Sequence, residues 1–181
     1  MPDRYGGRAG DIAVSEYRPF ATGDTFYSLG NRDWLSLPFA WPLRGWVSTE
    51  FLEPGPYWVG GYHQGIDIAV GYDVPVRAAS AGVVPEAENN GFNRGYGNYV
   101  KIDHHYGVIT LYGHMEKTAV KAGDHVARGQ VIGYSGSSGV ATGPHLHFEV
   151  RVDGYLADPE LFLPPMPTRR LYAMGTVPVP D

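Results

Sequence analysis

The cleanest alternation of apolar and polar positions in the chain is Gly143-Pro144-His145-Leu146-His147-Phe148-Glu149-Val150. A strand sends successive side chains to opposite faces. Leu146, Phe148 and Val150 therefore form one face, suited to a core, and His145, His147 and Glu149 form the other. Two imidazoles two residues apart on a strand are separated by roughly 6.6 Å. They can serve one small site, or simply decorate an exposed face.

The same pattern predicts further strands over residues 45–51, 65–70, 74–78, 82–84, 99–103 and 108–112. The last two flank His104-His105-Tyr106-Gly107, which has hairpin-turn chemistry. Residues 126–134 add a segment ending in Gly129-Gln130-Val131-Ile132-Gly133-Tyr134, and residues 12–17 and 25–29 suit two more strands. Residues 116–122 and 159–162 suit short helical turns, and nothing else has helical periodicity. The expected fold is mainly β: an antiparallel sheet, barrel-sandwich-like, with long loops and little helix. Residues 1–40 form an aromatic-rich N-terminal extension packed on the domain, 41–163 the domain itself, and 164–181 a Pro-rich C-terminal tail.

Composition narrows the function classes. With 181 residues, 43% apolar and 18% charged, the chain can bury one good core. A net charge of -5 gives no basic footprint for nucleic acid, and no apolar run reaches membrane-spanning length. Cysteine is absent, which removes disulfides, thiolate metal sites and a Cys nucleophile together. The first eight residues contain no apolar h-region, so no secretory signal is expected in this chain.

Seven histidines remain to be placed: His63, His104, His105, His114, His125, His145 and His147. His63-Gln64-Gly65-Ile66-Asp67 sets an imidazole four residues before a carboxylate. On a straight strand they would stand about 13 Å apart, and the Gly and β-branched residues reject a helix. Gly60, Gly61 and Gly65 permit a bend that folds His63 back beside Asp67. Tyr112-Gly113-His114-Met115 places another His just past a strand-ending Gly. Zinc takes imidazole and carboxylate ligands, and catalytic sites use three protein ligands plus water. Two His and one Asp drawn from His63, Asp67, His114, His145 and His147 make such a set, leaving two His for proton transfer or oxyanion stabilisation.

Taken together, these segments resemble the lysostaphin/LytM-type zinc peptidases, which cleave peptide bonds in bacterial peptidoglycan. The resemblance runs from about residue 39 to 162. It includes His63-Gln64-Gly65-Ile66-Asp67-Ile68-Ala69, Pro75-Val76-Arg77-Ala78-Ala79, Gly95-Tyr96-Gly97-Asn98-Tyr99-Val100, Tyr112-Gly113-His114-Met115, Gly129-Gln130-Val131-Ile132-Gly133 and Thr142-Gly143-Pro144-His145-Leu146-His147-Phe148-Glu149. Carried over by position, it implies one Zn2+ per chain held by His63, Asp67 and His147. His114 and His145 would be the non-ligand catalytic pair, acting as acid–base and oxyanion stabiliser around a metal-activated water. A Tyr upstream of the first ligand assists the oxyanion in the family, and Tyr57 is the candidate, with Tyr62 second. The resemblance further implies a monomeric endopeptidase acting on peptidoglycan peptides in an extracellular, periplasmic or cell-wall location. The turn Gly71-Tyr72-Asp73-Val74 and the enlarged His104-His105 hairpin depart from the family pattern.

Other readings compete. A non-catalytic cell-wall-binding regulator fits a member that has lost ligands, but every ligand is present here. Residues 120–133 also resemble part of a lipoyl- or biotin-carrier β module. Such a module needs a Lys at an exposed hairpin tip, and Lys101 and Lys117 are not so placed. His104, His105 and His125 are expected on hairpin and loop surface. Glu149 can orient an imidazole or be a structural carboxylate, Asn98 reads as a turn or strand residue, and Trp58, Tyr62, Tyr96 and Tyr99 either line a groove or pack. Asp24, Asn31 or Asp33 can reach an open metal position as a self-inhibitory segment, with packing the simpler alternative.

Overall fold

The computed structural model describes residues 37–56 and 58–165. Over these residues the chain forms ten strands: β1 (Trp46–Thr49), β2 (Ile66–Ala69), β3 (Pro75–Arg77), β4 (Gly82–Glu88), β5 (Asn98–Asp103), β6 (Val108–Thr118), β7 (His125–Val126), β8 (Val131–Ser135), β9 (His145–Val152) and β10 (Tyr155–Ala157). All pair antiparallel in one open sheet ordered β1-β2-β9-β6-β5-β4-β7. β10 adds to β9, β8 bridges β6 and β3, and short 3-10 turns are the only helix among the described residues.

Alternation fixes the register. In β9, Leu146, Phe148, Val150 and Val152 are fully buried, as are Ile66 and Ile68 in β2. Pairing puts Ile66 across from Phe148 and Ile68 across from Leu146. Burying each such side chain stabilises by about 1.5–3 kcal/mol, and a one-residue slip would turn them all to the other face. With that register set, Asp67 has no choice but to lie across from His147. On the other side of β9, Gly113 of β6 pairs with His147. Tyr112, Val100, Ile102, Val76 and Ile132 complete the core under the centre of the sheet.

The ends of the described segment close on this core. Phe39 stacks at 5.5 Å from Phe162 and 5.3 Å from the His104 ring, and Trp41 Nε1–H donates to Pro164 O at 2.8 Å. The expected strands at 12–17 and 25–29, the inhibitory candidates Asp24, Asn31 and Asp33, and Tyr57 lie outside the described residues.

The structure corrects one predicted element. Residues 116–118 continue β6 instead of starting a helical turn, because Lys117 and Thr118 pair with Tyr134 and Gly133 of β8. The ladder overrides a local helical preference. The 3-10 turn at Pro159–Leu161 does form, with Asp158 Oδ1 accepting from Glu160 N–H at 3.0 Å.

Candidate metal centre and active site

Three elements bring the site together. β9 carries His145 and His147 on its polar face, and β2 offers Asp67 from the neighbouring strand. The loop before β2 turns back through Gly60 and Gly61, at φ 74° and 82°. That turn ends in His63. Gly65 contributes differently from expectation: a Cβ there would collide with Phe148 O, so its task is close approach to β9. His114 sits where β6 leaves β9 and takes up β8, between the pairs Gly113–His147 and Met115–Ser135. Its φ of 58° is a strained value for a non-glycine residue, costing about 1–3 kcal/mol.

Three ligand-type atoms converge. His147 Nδ1 lies 2.8 Å and His63 Nε2 3.1 Å from Asp67 Oδ1, and the two nitrogens are 3.0 Å apart. Donors around a tetrahedral zinc at 2.0–2.1 Å stand roughly 3.3 Å from one another, so the set fits the ion to within a few tenths of an ångström. Hydrogen bonding dictates which nitrogen faces inward. A carbonyl can only accept, so the 3.0 Å contact between His63 Nδ1 and Glu50 O puts the proton on Nδ1 and leaves Nε2 bare. His147 is the mirror case: its Nε2 lies 3.0 Å from Glu149 Oε1, leaving Nδ1 for the cluster.

Two bare nitrogens and a carboxylate oxygen at such distances repel unless a positive charge sits among them. A proton on His147 answers the same demand. Burial alone would lower its pKa, but the Asp67 and Glu149 carboxylates override this and raise it to about 9. Burial would likewise raise Asp67, yet His147 and His63 packed against its carboxylate hold it far below the carboxylate range.

The other two histidines stand beside this cluster. The His114 and His145 rings are 4.7 Å apart, and His114 is 5.8 Å from His147. His114 Nδ1–H donates to Ser138 O at 2.8 Å, and His145 Nδ1–H to Gly143 O at 2.8 Å. Nε2 is therefore the nitrogen each turns toward the cleft, that of His145 lying 3.6 Å from Asp67 Oδ1. Burial first, then the neighbouring His147 and His145, push the pKa of His114 down to about 3. The five residues border an open cleft of about 320 Å³, whose walls include Thr49, Trp58, Tyr96, Val140 and Thr142.

Several expectations about single residues can be decided. Glu149 is fully buried, with Oε1 3.0 Å from His147 Nε2. His105 and His125 are exposed. His104 is not: it is 1% exposed, with Nδ1–H donating to Ala81 O and Nε2 bonded to Thr110 Oγ1, each at 2.8 Å. A turn-like sequence concealed it, because the hairpin folds that ring under the sheet. Trp58 and Tyr96 line the cleft, Tyr99 bonds Glu86, and Tyr62 is half exposed. Lys101 and Lys117 lie within β5 and β6, not at hairpin tips.

Two contributors went unread in the sequence. Ser138 acts through its main-chain carbonyl, which residue identity does not advertise. Its hydroxyl bonds Met115 O and Asn98 N–H, and a side chain at Gly97 (φ 66°) would clash with it. Arg151 grips Glu149 Oε2 with Nε and Nη2 at 3.1 and 2.9 Å. The alternation that set Glu149 beside His147 would have pointed to it next.

Comparison with known proteins agrees with this arrangement. Residues 61–159 match the family described as "Peptidase family M23". The DD-carboxypeptidase/endopeptidase Mpg of Neisseria meningitidis is 44% identical over 105 residues, 58% of this chain but only 24% of that protein's length. Among solved structures, the catalytic domain of lysostaphin from Staphylococcus simulans aligns with a TM-score of 0.58 and 36% identity, over 62% of this chain and 87% of that one. A zinc-containing peptidase from Vibrio cholerae aligns at 0.59 and 33%, over 66% and 38%. Spanning the His63–Asp67 turn, the β6 switch and the paired histidines of β9, this match establishes that the chain belongs to peptidase family M23.

Proposed function

We propose that the chain is a zinc-dependent endopeptidase that hydrolyses peptide bonds in peptidoglycan, in stem peptides or their cross-links. The observation that carries this reading is the convergence of His63 Nε2, Asp67 Oδ1 and His147 Nδ1 beside two further imidazole nitrogens turned toward the cleft. In this reading His63, Asp67 and His147 hold one zinc. When bound, zinc supplies a Lewis acid that polarises a carbonyl oxygen and acidifies water. His114 and His145, each fixed through Nδ1–H, divide the proton work: one Nε2 accepts a proton from the attacking water, the other assists the oxyanion or the leaving amine. Tyr57 is kept as the further oxyanion donor.

The relatives support the substrate class, since they include proteins of Vibrio cholerae named as peptidoglycan DD-endopeptidases. Peptidoglycan as substrate implies action at the cell wall, as a monomer by the same reading, with residues 41–163 as the peptidase domain between the 1–40 extension and the 164–181 tail.

Incubating the zinc-loaded protein with purified peptidoglycan and reading released fragments by mass spectrometry tests the proposal. New free amine and carboxyl ends within peptides are expected, abolished by chelation and restored by zinc. A protein that holds zinc yet releases nothing from any wall type would instead be a wall-binding regulator.

A further inference from the structure

Behind the metal cluster lies a second set of polar groups, centred on the buried Glu149 and reaching out to the half-buried Tyr96, Gln64 and Arg151. Glu149 Oε1 sits 3.0 Å from His147 Nε2 and accepts the Tyr96 hydroxyl at 2.7 Å. Its other oxygen takes both N–H groups of Arg151. The Tyr96 hydroxyl is also 3.1 Å from Gln64 Oε1, on the loop that carries His63. Every lone pair of the carboxylate is thus aimed, and the residue is 0% exposed.

We infer that Glu149 is a positioning residue that fixes His147 in the tautomer able to bind metal. Arg151 and Tyr96 lock the carboxylate in place for that task. The inference deepens the zinc reading above and rests on it. The reason is geometric. His147 faces the cluster through Nδ1 and the interior through Nε2, so it can ligate only if its remaining proton is on Nε2. An anion with no proton of its own, held immobile 3.0 Å from Nε2, accepts that proton and cannot donate one. Arg151 matters because it decides which way an amide would turn. In Glu149→Gln, the guanidinium donors would claim the amide oxygen and leave the NH2 pointing at His147 Nε2. The NH2 would donate, the imidazole proton would move to Nδ1, and the inward nitrogen would be blocked. Partners of this kind orient ligands and are worth about 10–100-fold in metal affinity.

Zinc affinity, measured by chelator competition on the whole chain, gives the test. Glu149→Gln is expected to bind about 10–100-fold more weakly. Adding Arg151→Met to it frees the amide to rotate and offer its oxygen to His147, so the double variant should regain most of the loss. A purely structural role for Glu149 predicts no such rescue, since two buried substitutions would only compound. In the unaltered zinc-loaded protein, 15N-resolved NMR should show His147 ligating through Nδ1, with a slowly exchanging, downfield Nε2 proton. This readout needs no variant to fold. Glu149→Gln binding within about threefold of the parent, no rescue by Arg151→Met, or ligation through His147 Nε2 would each overturn the inference. Absence of zinc binding by the unaltered chain would overturn the metal reading itself, a separate outcome.

Discussion

Two buried polar groups built around histidine occupy this small sheet, one on His104 alone and one on the histidines about Asp67, and they follow opposite rules. Around His104 every polar atom is answered by a neutral partner. Nδ1–H donates to Ala81 O, Nε2 accepts from the Thr110 hydroxyl, and Thr110 bonds Tyr112, whose oxygen accepts Ala79 N–H. Nothing is left over. Around Asp67, each histidine has one nitrogen satisfied by the backbone or by Glu149. The other points bare into a shared space with a carboxylate. The first group is complete without a ligand, and the second needs a positive charge among its atoms, which a proton on His147 or a metal ion can supply. Burial alone therefore does not separate a structural histidine from a functional one. The accounting of its two nitrogens does.

Breaking the group around Asp67, the proposed zinc site, should have the largest consequence. Asp67→Ala or His63→Ala is expected to abolish both stoichiometric zinc, measured by elemental analysis, and peptide release. Retained zinc would erase the contrast between the groups. Next in size, His114→Ala or His145→Ala should keep zinc and lose about 10²–10⁴-fold in turnover, the usual worth of a positioned acid or base. Near-normal turnover with zinc bound would remove these residues from the chemistry. In the other group, His104→Ala leaves the Thr110 hydroxyl and the Ala81 carbonyl unanswered. It should cost about 1–3 kcal/mol in denaturant unfolding with zinc content unchanged.

The smallest effect is a pH dependence. Burial, outweighing the Ala81 hydrogen bond, holds the pKa of His104 below its ordinary value. The unfolded chain thus binds a proton that the folded chain refuses, and stability falls as pH drops below about 6.5. That decline should be shallower in His104→Gln, by urea unfolding between pH 7 and 5. An equal decline in the variant would show that the ring does not titrate against folding.

Much of the fold was legible because a half-buried strand leaves a two-residue signature. The alternation at 145–150 gave β9, its core face and its histidine face. The β6 hairpin and the β2 strand followed from the same rule. The Glu116–Thr118 part of β6 did not, since those residues are extended only because β8 pairs with them. His104 departs from its local pattern for a related reason. Its neighbours His105, Tyr106 and Gly107 read as a turn, and nothing local says that the ring before them faces inward.

The sequence by itself determined the residues of the cluster, the glycines that let His63 turn back, and the strand face shared by His145, His147 and Glu149. Tertiary structure alone decided which nitrogen each histidine presents. That choice rests on main-chain carbonyls at Glu50, Ser138 and Gly143 and on a carboxylate clamped by Arg151. A carbonyl is the same in every residue. Its direction exists only once the chain is folded, and so the chemistry that depends on that direction cannot be written in residue order.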